Sequence, residues 1–280
     1  MWTPAARAQL GREAIPYATC LTDAEWSLAA PFLPAPAATG RPRLWSMRLI
    51  LDGIPYVLRT GCAWAHLPRE FPPTGTVQRW FLRLARTGTF ERMAHALVVE
   101  PRGSPDMADR ERSGREASPT AAVVDAQAAR ADRVGVTGQK GYDPARRVVG
   151  RKRHALVDTD GRLLLAALSP ANLHDSQGGV ALLQASRQPW PLLLRCFADR
   201  AYAGPRVAGA TSIAATLVGA ASGQRGFAVQ PRRWVIKRSF AWAGRCPRLA
   251  RDHEATPSPA TAFFVLANAM VLVRRLAQPL

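Results

Sequence analysis

Ala121-Ala122-Val123-Val124-Asp125 is a run of four apolar residues that ends in one carboxylate. The pattern returns downstream, where Leu192-Leu193-Leu194-Arg195-Cys196-Phe197-Ala198 leads into Asp199. Short apolar runs bounded by turn residues read as buried strands. A buried strand that ends in Asp brings a charge to the rim of a sheet, where the charge needs a partner. Two such strands side by side bring two carboxylates to one rim, an arrangement able to hold a divalent metal. Taken singly, each Asp reads equally as a turn cap or as the partner of an Arg. Their repetition on matching apolar runs favours the metal site.

Between the two runs the chain is basic, then turns sharply. A glycine-bearing loop is expected from Gly135 to Gly150, and Arg151-Lys152-Arg153-His154 leads into a strand over Ala155–Asp158. Asp160-Gly161 is a hairpin signal between that strand and Leu163–Leu168. A helix is expected from Asp175 to Ser186, with His174-Asp175 as its cap rather than a metal ligand. The second Asp strand is expected over Leu192–Asp199, and weaker strands over Ile213–Val218 and Gly226–Val229. Trp234–Ala243 reads as a helix, with Trp234 and Trp242 as core residues rather than base-stacking platforms. Ser258 is the expected cap of a last helix with Pro259 at its first position.

Upstream, the pattern is helical. Residues 1–20 form an arm without a clear period. Thr22-Asp23-Ala24-Glu25 is a capping box, so a short helix follows and stops before Pro34. Ser46 caps a second helix to Arg59, which Pro55 should kink. Val77, Trp80, Phe81 and Leu84 fall at i, i+3, i+4 and i+7 of a third helix, with Arg79, Arg83 and Arg86 off the stripe. A fourth helix spans Phe90–Val99. Helix, turn and helix with a basic outer face suits DNA binding, and it equally describes a bundle whose Arg residues are solvated. Residues 101–119 are polar and read as a linker, which divides the chain into a helical domain over 21–100 and a second domain over 120–280.

Composition narrows the partner. The chain has 280 residues, 48% of them hydrophobic, and carries a formal charge of +18. Such an excess points to a polyanion, with nucleic acid first. Three of the 38 basic residues are Lys, at 140, 152 and 237. Arg forks match phosphate geometry. An RNA-binding module accounts for the charge but not for the two Asp strands. Cys20, Cys62, Cys196 and Cys246 form no CxxC pair, so neither a zinc site nor a redox motif is indicated. Residues 1–10 lack the apolar core of a secretory signal, and the apolar run Ala262–Val273 is short for a bilayer span. The expectation is a cytoplasmic, nucleoid-associated protein without a membrane partner.

The order and spacing of several segments resemble one family. They are Leu21-Thr22-Asp23-Ala24-Glu25-Trp26, Gly40-Arg41-Pro42-Arg43 and Tyr56-Val57-Leu58-Arg59-Thr60-Gly61-Cys62-Ala63-Trp64. Val124-Asp125-Ala126-Gln127, Gly150-Arg151-Lys152-Arg153-His154 and Ala198-Asp199-Arg200-Ala201-Tyr202 follow. Arg232-Arg233-Trp234-Val235, Phe240-Ala241-Trp242 and Arg251-Asp252-His253-Glu254 complete the set. From about Leu21 to Leu276 the chain resembles the transposases of the insertion-sequence-five group, which carry a DDE-type nuclease domain. The resemblance implies an α/β fold: a ribonuclease-H-like mixed sheet flanked by helices, preceded by a small helix-turn-helix-like domain. It implies double-stranded DNA as partner, both transposon ends and target, with the protein acting as a homo-oligomer on DNA. It also implies two Mg²⁺ ions on an acid triad, which stabilise the attacking and leaving oxygens of strand cleavage and transfer.

Asp125 and Asp199 match the first two acids. At the third, the family pattern Trp-Val-x-Glu-Arg-Thr/Ser-Phe reads Trp234-Val235-Ile236-Lys237-Arg238-Ser239-Phe240, so Lys237 stands where the family has Glu. A protonated ammonium has no lone pair for a metal. The alternative is therefore a catalytically inactive, transposase-derived DNA-binding protein. Glu254 matches a different family position, beyond Gly244 and Pro247. Arg79, Arg83, Arg151, Lys152, Arg153, Arg232, Arg233 and Arg238 are the expected phosphate contacts. His154 is either a DNA contact or a strand-edge residue without chemistry.

Overall fold

In the computed structural model, residues 16–36, 38–40, 42–99, 109–131, 139–204, 207, 209, 211–218 and 231–278 are described. The sheet is organised on β1 (Ala121–Arg130), which runs antiparallel to β3 (Val148–Asp158) and parallel to β5 (Arg195–Ala198). On the far side of β3 lie β2 (Gly141–Asp143) and β4 (Leu163–Pro170), and β6 (Ala214–Leu217) pairs parallel with β5. The result is the expected mixed sheet. Ala122, Val123 and Val124 are buried, as are Val157 and Leu156 opposite the two valines and Ala155 opposite Asp125. Both strands are apolar on both faces here because helices cover both sides.

Two strand readings are corrected. β1 does not stop at Asp125 but runs five residues further, because β3 continues to pair with it as far as Arg130. The polarity change at Asp125 marks where β5 ends, so the rim is local to the β5 side. The leucine run Leu192–Leu194 is not strand: Leu193 N–H closes a turn on the Trp190 carbonyl, and β5 starts only at Arg195. Of the loop expected from Gly135 to Gly150, residues 141–143 form β2 and 148–150 begin β3, while 135–138 lie outside the described residues. The strand expected at 226–229 lies outside the described residues.

The helices follow the apolar periods. α1 (Asp23–Ala29) carries the full Thr22/Glu25 capping box, and Ser46 caps α2 (Met47–Thr60), which runs through Pro55 without a break in its helical assignment. α3 (Thr74–Arg86) buries Val77, Phe81 and Leu84, and α4 (Thr89–Val99) packs beside it. α5 (Asp175–Ser186) is capped by His174. α6 (Pro231–Gly244) lies over β1, β3 and β5. α7 (Pro257–Leu276) starts two residues earlier than Ser258 and Pro259 suggested, with Thr256 at the cap position and Pro257 first. By length and composition α7 could cross a membrane, but it is mostly buried. It touches α1 to α4 on one side and β4 and α6 on the other, and Phe81 stacks on Phe263 at 4.1 Å. The helical region and the sheet therefore share one hydrophobic core.

The polar stretch read as a linker ends in a structured clasp. A single helical turn, Asp109–Arg112, brings Asp109 and Arg110 against the β3–β4 hairpin. Asp158 accepts Arg110 at 2.5 Å and Arg162 at 3.0 Å, and Asp109 accepts Arg162 at 2.5 Å and Arg275 at 2.8 Å. Burial works against the Arg162 charge, but Asp158, Asp160 and Asp109 outweigh it and hold the guanidinium firmly protonated. Gly161 takes φ +92° in the hairpin turn, where a left-handed residue is needed.

Candidate active site

The parallel register pairs Val123 with Phe197. Asp125, two residues on in β1, shares the face that carries Val123, and Asp199 stands two residues beyond Phe197, just past the end of β5, where it caps the turn Arg200–Tyr202. α6 covers that face. It is pinned at one point by Ser239, whose hydroxyl donates to the Gly161 carbonyl at 2.7 Å, and at another by Arg238, which donates to the Asp160 carbonyl at 2.5 Å. The Arg238 guanidinium is also held between the rings of Trp234 and Trp242, 4.6 and 4.8 Å from their centroids. Trp234, expected in the core, is 47% exposed, because it covers Arg238 rather than the sheet. The anchored helix presents Arg233 and Lys237, four residues apart on one face, to the two acids.

Lys237 Nζ lies 2.5 Å from Asp125 Oδ2. The contact is an ion pair without hydrogen-bond alignment, since Oδ2 is a buried oxygen with no hydrogen bond. The other oxygen, Oδ1, accepts the Ala126 N–H at 2.8 Å. The Lys237 side chain is 44% exposed and that of Asp125 only 4%. Asp199 is held by Arg233 rather than Lys237, with NH2 to Oδ2 at 2.7 Å, while its Oδ1 accepts the Ala201 N–H at 2.9 Å. Each acid thus carries one backbone donor and one side-chain cation.

Beside the acids lies Tyr202, which the sequence analysis did not single out. Its hydroxyl is buried without a hydrogen-bond partner among the described residues. Burial, followed by the charges of Asp125, Asp175 and Asp199, pushes the phenol upward. Its ring rests on Gly179, where a Cβ would come within 2.2 Å of Tyr202 Cε1, and the His154 ring rests likewise on Gly178. Two adjacent glycines inside a predicted helix were the available signal, because they weaken a helix unless something approaches it closely.

Several expected DNA contacts turn inward and are corrected. Arg151 is fully buried, paired with Asp252 at 3.1 Å and donating to the Glu254 and Ala255 carbonyls. Arg153 is buried and donates to the carbonyls of Leu249 and Arg251. Burial pushes it down to about 10, with Asp252 opposing. Lys152 bridges Asp175 and Asp143. His154 is buried and shares a hydrogen bond with Ser169 at 2.8 Å. Burial, aided by Lys152 and opposed by Asp175, pushes it down to about 4. A basic run read as phosphate contacts is instead covered in part by the 249–255 segment, which takes Arg151 and Arg153. Arg79, Arg83 and Arg232 are exposed, and Arg83 lies over the Trp80 ring with Arg43 nearby.

Glu254 is not a third acid for this site. It pairs with Arg248 at 2.7 Å beside the bridge from Ala131 to Asp252, six residues along β1 from Asp125 and so about 20 Å away. Among the described residues no group of three or more His, Cys, Asp or Glu side chains could hold a metal ion. The residues present therefore do not fit a two-metal centre: two acids are in place, and a cation stands on each.

Two family models match the chain in tandem. Residues 21–94 match the putative transposase of IS4/5 family, and residues 116–214 match the transposase DDE domain. The chain belongs to the IS4/5-type DDE transposases. Its mixed sheet with flanking helices is the ribonuclease-H-like fold of such a transposase, preceded by the helical region. The DDE match contains Asp125 and Asp199 but ends before α6. No curated protein and no solved structure matches the chain.

Proposed function

We propose that this transposase binds the terminal inverted repeats of a bacterial insertion sequence, acting in the cytoplasm at the nucleoid as a homo-oligomer on double-stranded DNA. The helical region over 21–100 supplies repeat recognition through the exposed face of α3, with Arg79 and Arg83. Asp125 and Asp199 are the acids of the cleavage centre. The observation that carries the reading is their placement, Asp125 on β1 and Asp199 just past the end of the adjacent parallel strand β5, both touched by α6, in a chain of charge +18.

A second reading is favoured by one contact. Lys237 on Asp125 and Arg233 on Asp199 place two cations where a Mg²⁺ pair would need carboxylates, and no step through a metal is assigned to these residues. On this reading the protein occupies transposon ends without cutting them. The acids then serve as seats for α6, and Lys237 neutralises a buried carboxylate.

The test compares the parent with Lys237→Glu on a duplex carrying the element's own end, in Mg²⁺ or Mn²⁺. The substituted protein should cut several orders of magnitude faster, since it regains a third carboxylate. Equal rates would mean that Lys237 does not inactivate the centre. Binding is scored separately: affinity should fall steeply with salt as neutralised phosphates release counterions.

A further inference from the structure

A cleft of about 430 Å³ opens at the start of β1 and β5, lined by Arg110, Arg115, Arg195, Arg232, Phe197 and Leu194, with Thr120, Ala121 and Thr159 completing it. No carboxylate is among its lining residues. Arg110 and Arg115 are already paired, with Asp158 and Asp160. Arg195 and Arg232 are exposed, and among the described residues neither has an ion-pair partner. Arg232 is nevertheless held in place, its guanidinium 5.3 Å from the centroid of the Phe197 ring. A cation fixed on an aromatic face keeps its N–H donors available while losing little further freedom on binding.

The location of the cleft gives it a purpose. The register pairs Ala121 with Arg195 and Val123 with Phe197, and each acid follows two residues later, Asp125 on β1 and Asp199 just past the end of β5. Cleft and Asp125 therefore share one sheet face, four residues or about 13 Å apart along β1. Arg232 lines the cleft, and Arg233, the next residue of α6, holds Asp199. We propose that the cleft seats the phosphodiester backbone of the DNA strand that runs to the acid pair, with Arg195 and Arg232 as its phosphate contacts and the two threonine hydroxyls as further donors. The proposal rests on the transposase reading above and names the part of that site that holds the strand. Leu194, 63% exposed, is the apolar part of the lining beside these donors.

The experiment measures duplex affinity by fluorescence anisotropy against salt for the parent, Arg195→Gln, Arg232→Gln and the double variant Arg195→Glu/Arg232→Glu. Both positions are exposed, and a thermal melt checks that each variant folds. Each Gln variant should lower the salt slope by about 0.9, the value for one phosphate contact, and the double Glu variant should bind at least tenfold more weakly. As an independent readout, Leu194→Cys carrying an aryl azide should crosslink to the DNA strand. Slopes and affinities equal to the parent's, with no crosslink, overturn the cleft while leaving the transposase reading intact. A parent that does not bind DNA at all overturns both.

Discussion

Two sets of buried carboxylates sit on this sheet, and they are treated in opposite ways. At the β3–β4 hairpin, Asp158 receives two guanidiniums on one oxygen and the backbone N–H groups of Asp160 and Arg162 on the other, while Asp109 receives Arg162 and Arg275. None of Asp109, Arg110, Asp158 and Arg162 has a buried polar atom left without a hydrogen bond. At the acid pair, Asp125 Oδ2, the Tyr202 hydroxyl and His154 Nδ1 are all buried without one. The cations there come from a single helix and are partly exposed. Saturated carboxylates hold a fold together. A buried carboxylate left undersatisfied, as Asp125 is, marks a candidate site for chemistry instead.

The largest expected effect breaks the saturated side. Asp158→Asn leaves Arg110 and Arg162 buried against an amide that has lost the charge they were paired with. Removing one partner of a buried ion pair costs about 3–5 kcal/mol. Urea unfolding of this variant should show that loss, and a change under about 1 kcal/mol would end the distinction drawn between the two regions.

Acid titration tests the other side. His154 is held at about 4 against an ordinary 6.5, with burial as the main cause. Between those values the unfolded chain binds a proton that the folded chain refuses. Stability is therefore complete above pH 6.5 and is lost as pH falls towards 4, by up to about 3 kcal/mol. The stability of the parent should fall more steeply across this window than that of His154→Asn. Parallel curves would show that the imidazole is not buried in its neutral form.

A third change acts on the acid pair without touching it. In Gly179→Ala the new Cβ would come within 2.2 Å of the Tyr202 ring, so the ring or α5 must shift. Overpacking of this kind costs about 1–3 kcal/mol. Tyrosine fluorescence should change together with the melting temperature. A melting temperature unchanged from the parent would mean that α5 yields freely.

Much of this arrangement was legible in the residues. Apolar runs located β1, β4 and the strand that leads to Asp199, because a strand buried on both faces must be apolar throughout. The capping box at Thr22 and the hairpin at Asp160-Gly161 were local chemistry and needed no partner. What the sequence hid was tertiary. Arg151 and Arg153 look like a solvated basic edge until the 249–255 segment closes over them, a contact about a hundred residues away in the chain. Asp109 and Arg110 look like linker until Arg162 meets them. The position of Lys237 was readable only by resemblance, since no periodicity marks one residue of α6 as the partner of Asp125.

The smallest expected effect is the sharpest test of the comparison. Asp125→Asn keeps the shape of the side chain and can keep the bond that Oδ1 accepts from the Ala126 N–H. It removes a buried charge whose other oxygen has no hydrogen bond, and it frees Lys237, already 44% exposed, to move into water. An ion pair with one partner so exposed contributes about 0–1 kcal/mol, and relief of the buried charge acts against even that. The folded state should therefore change by no more than about 1 kcal/mol, against about 3–5 for the same substitution at Asp158. Chemical denaturation of the two Asn variants side by side decides it. A loss at Asp125 as large as that at Asp158 would make the Lys237 pair a structural clasp like the one at the hairpin, and the acid centre would lose its claim to be the place where this transposase does its chemistry.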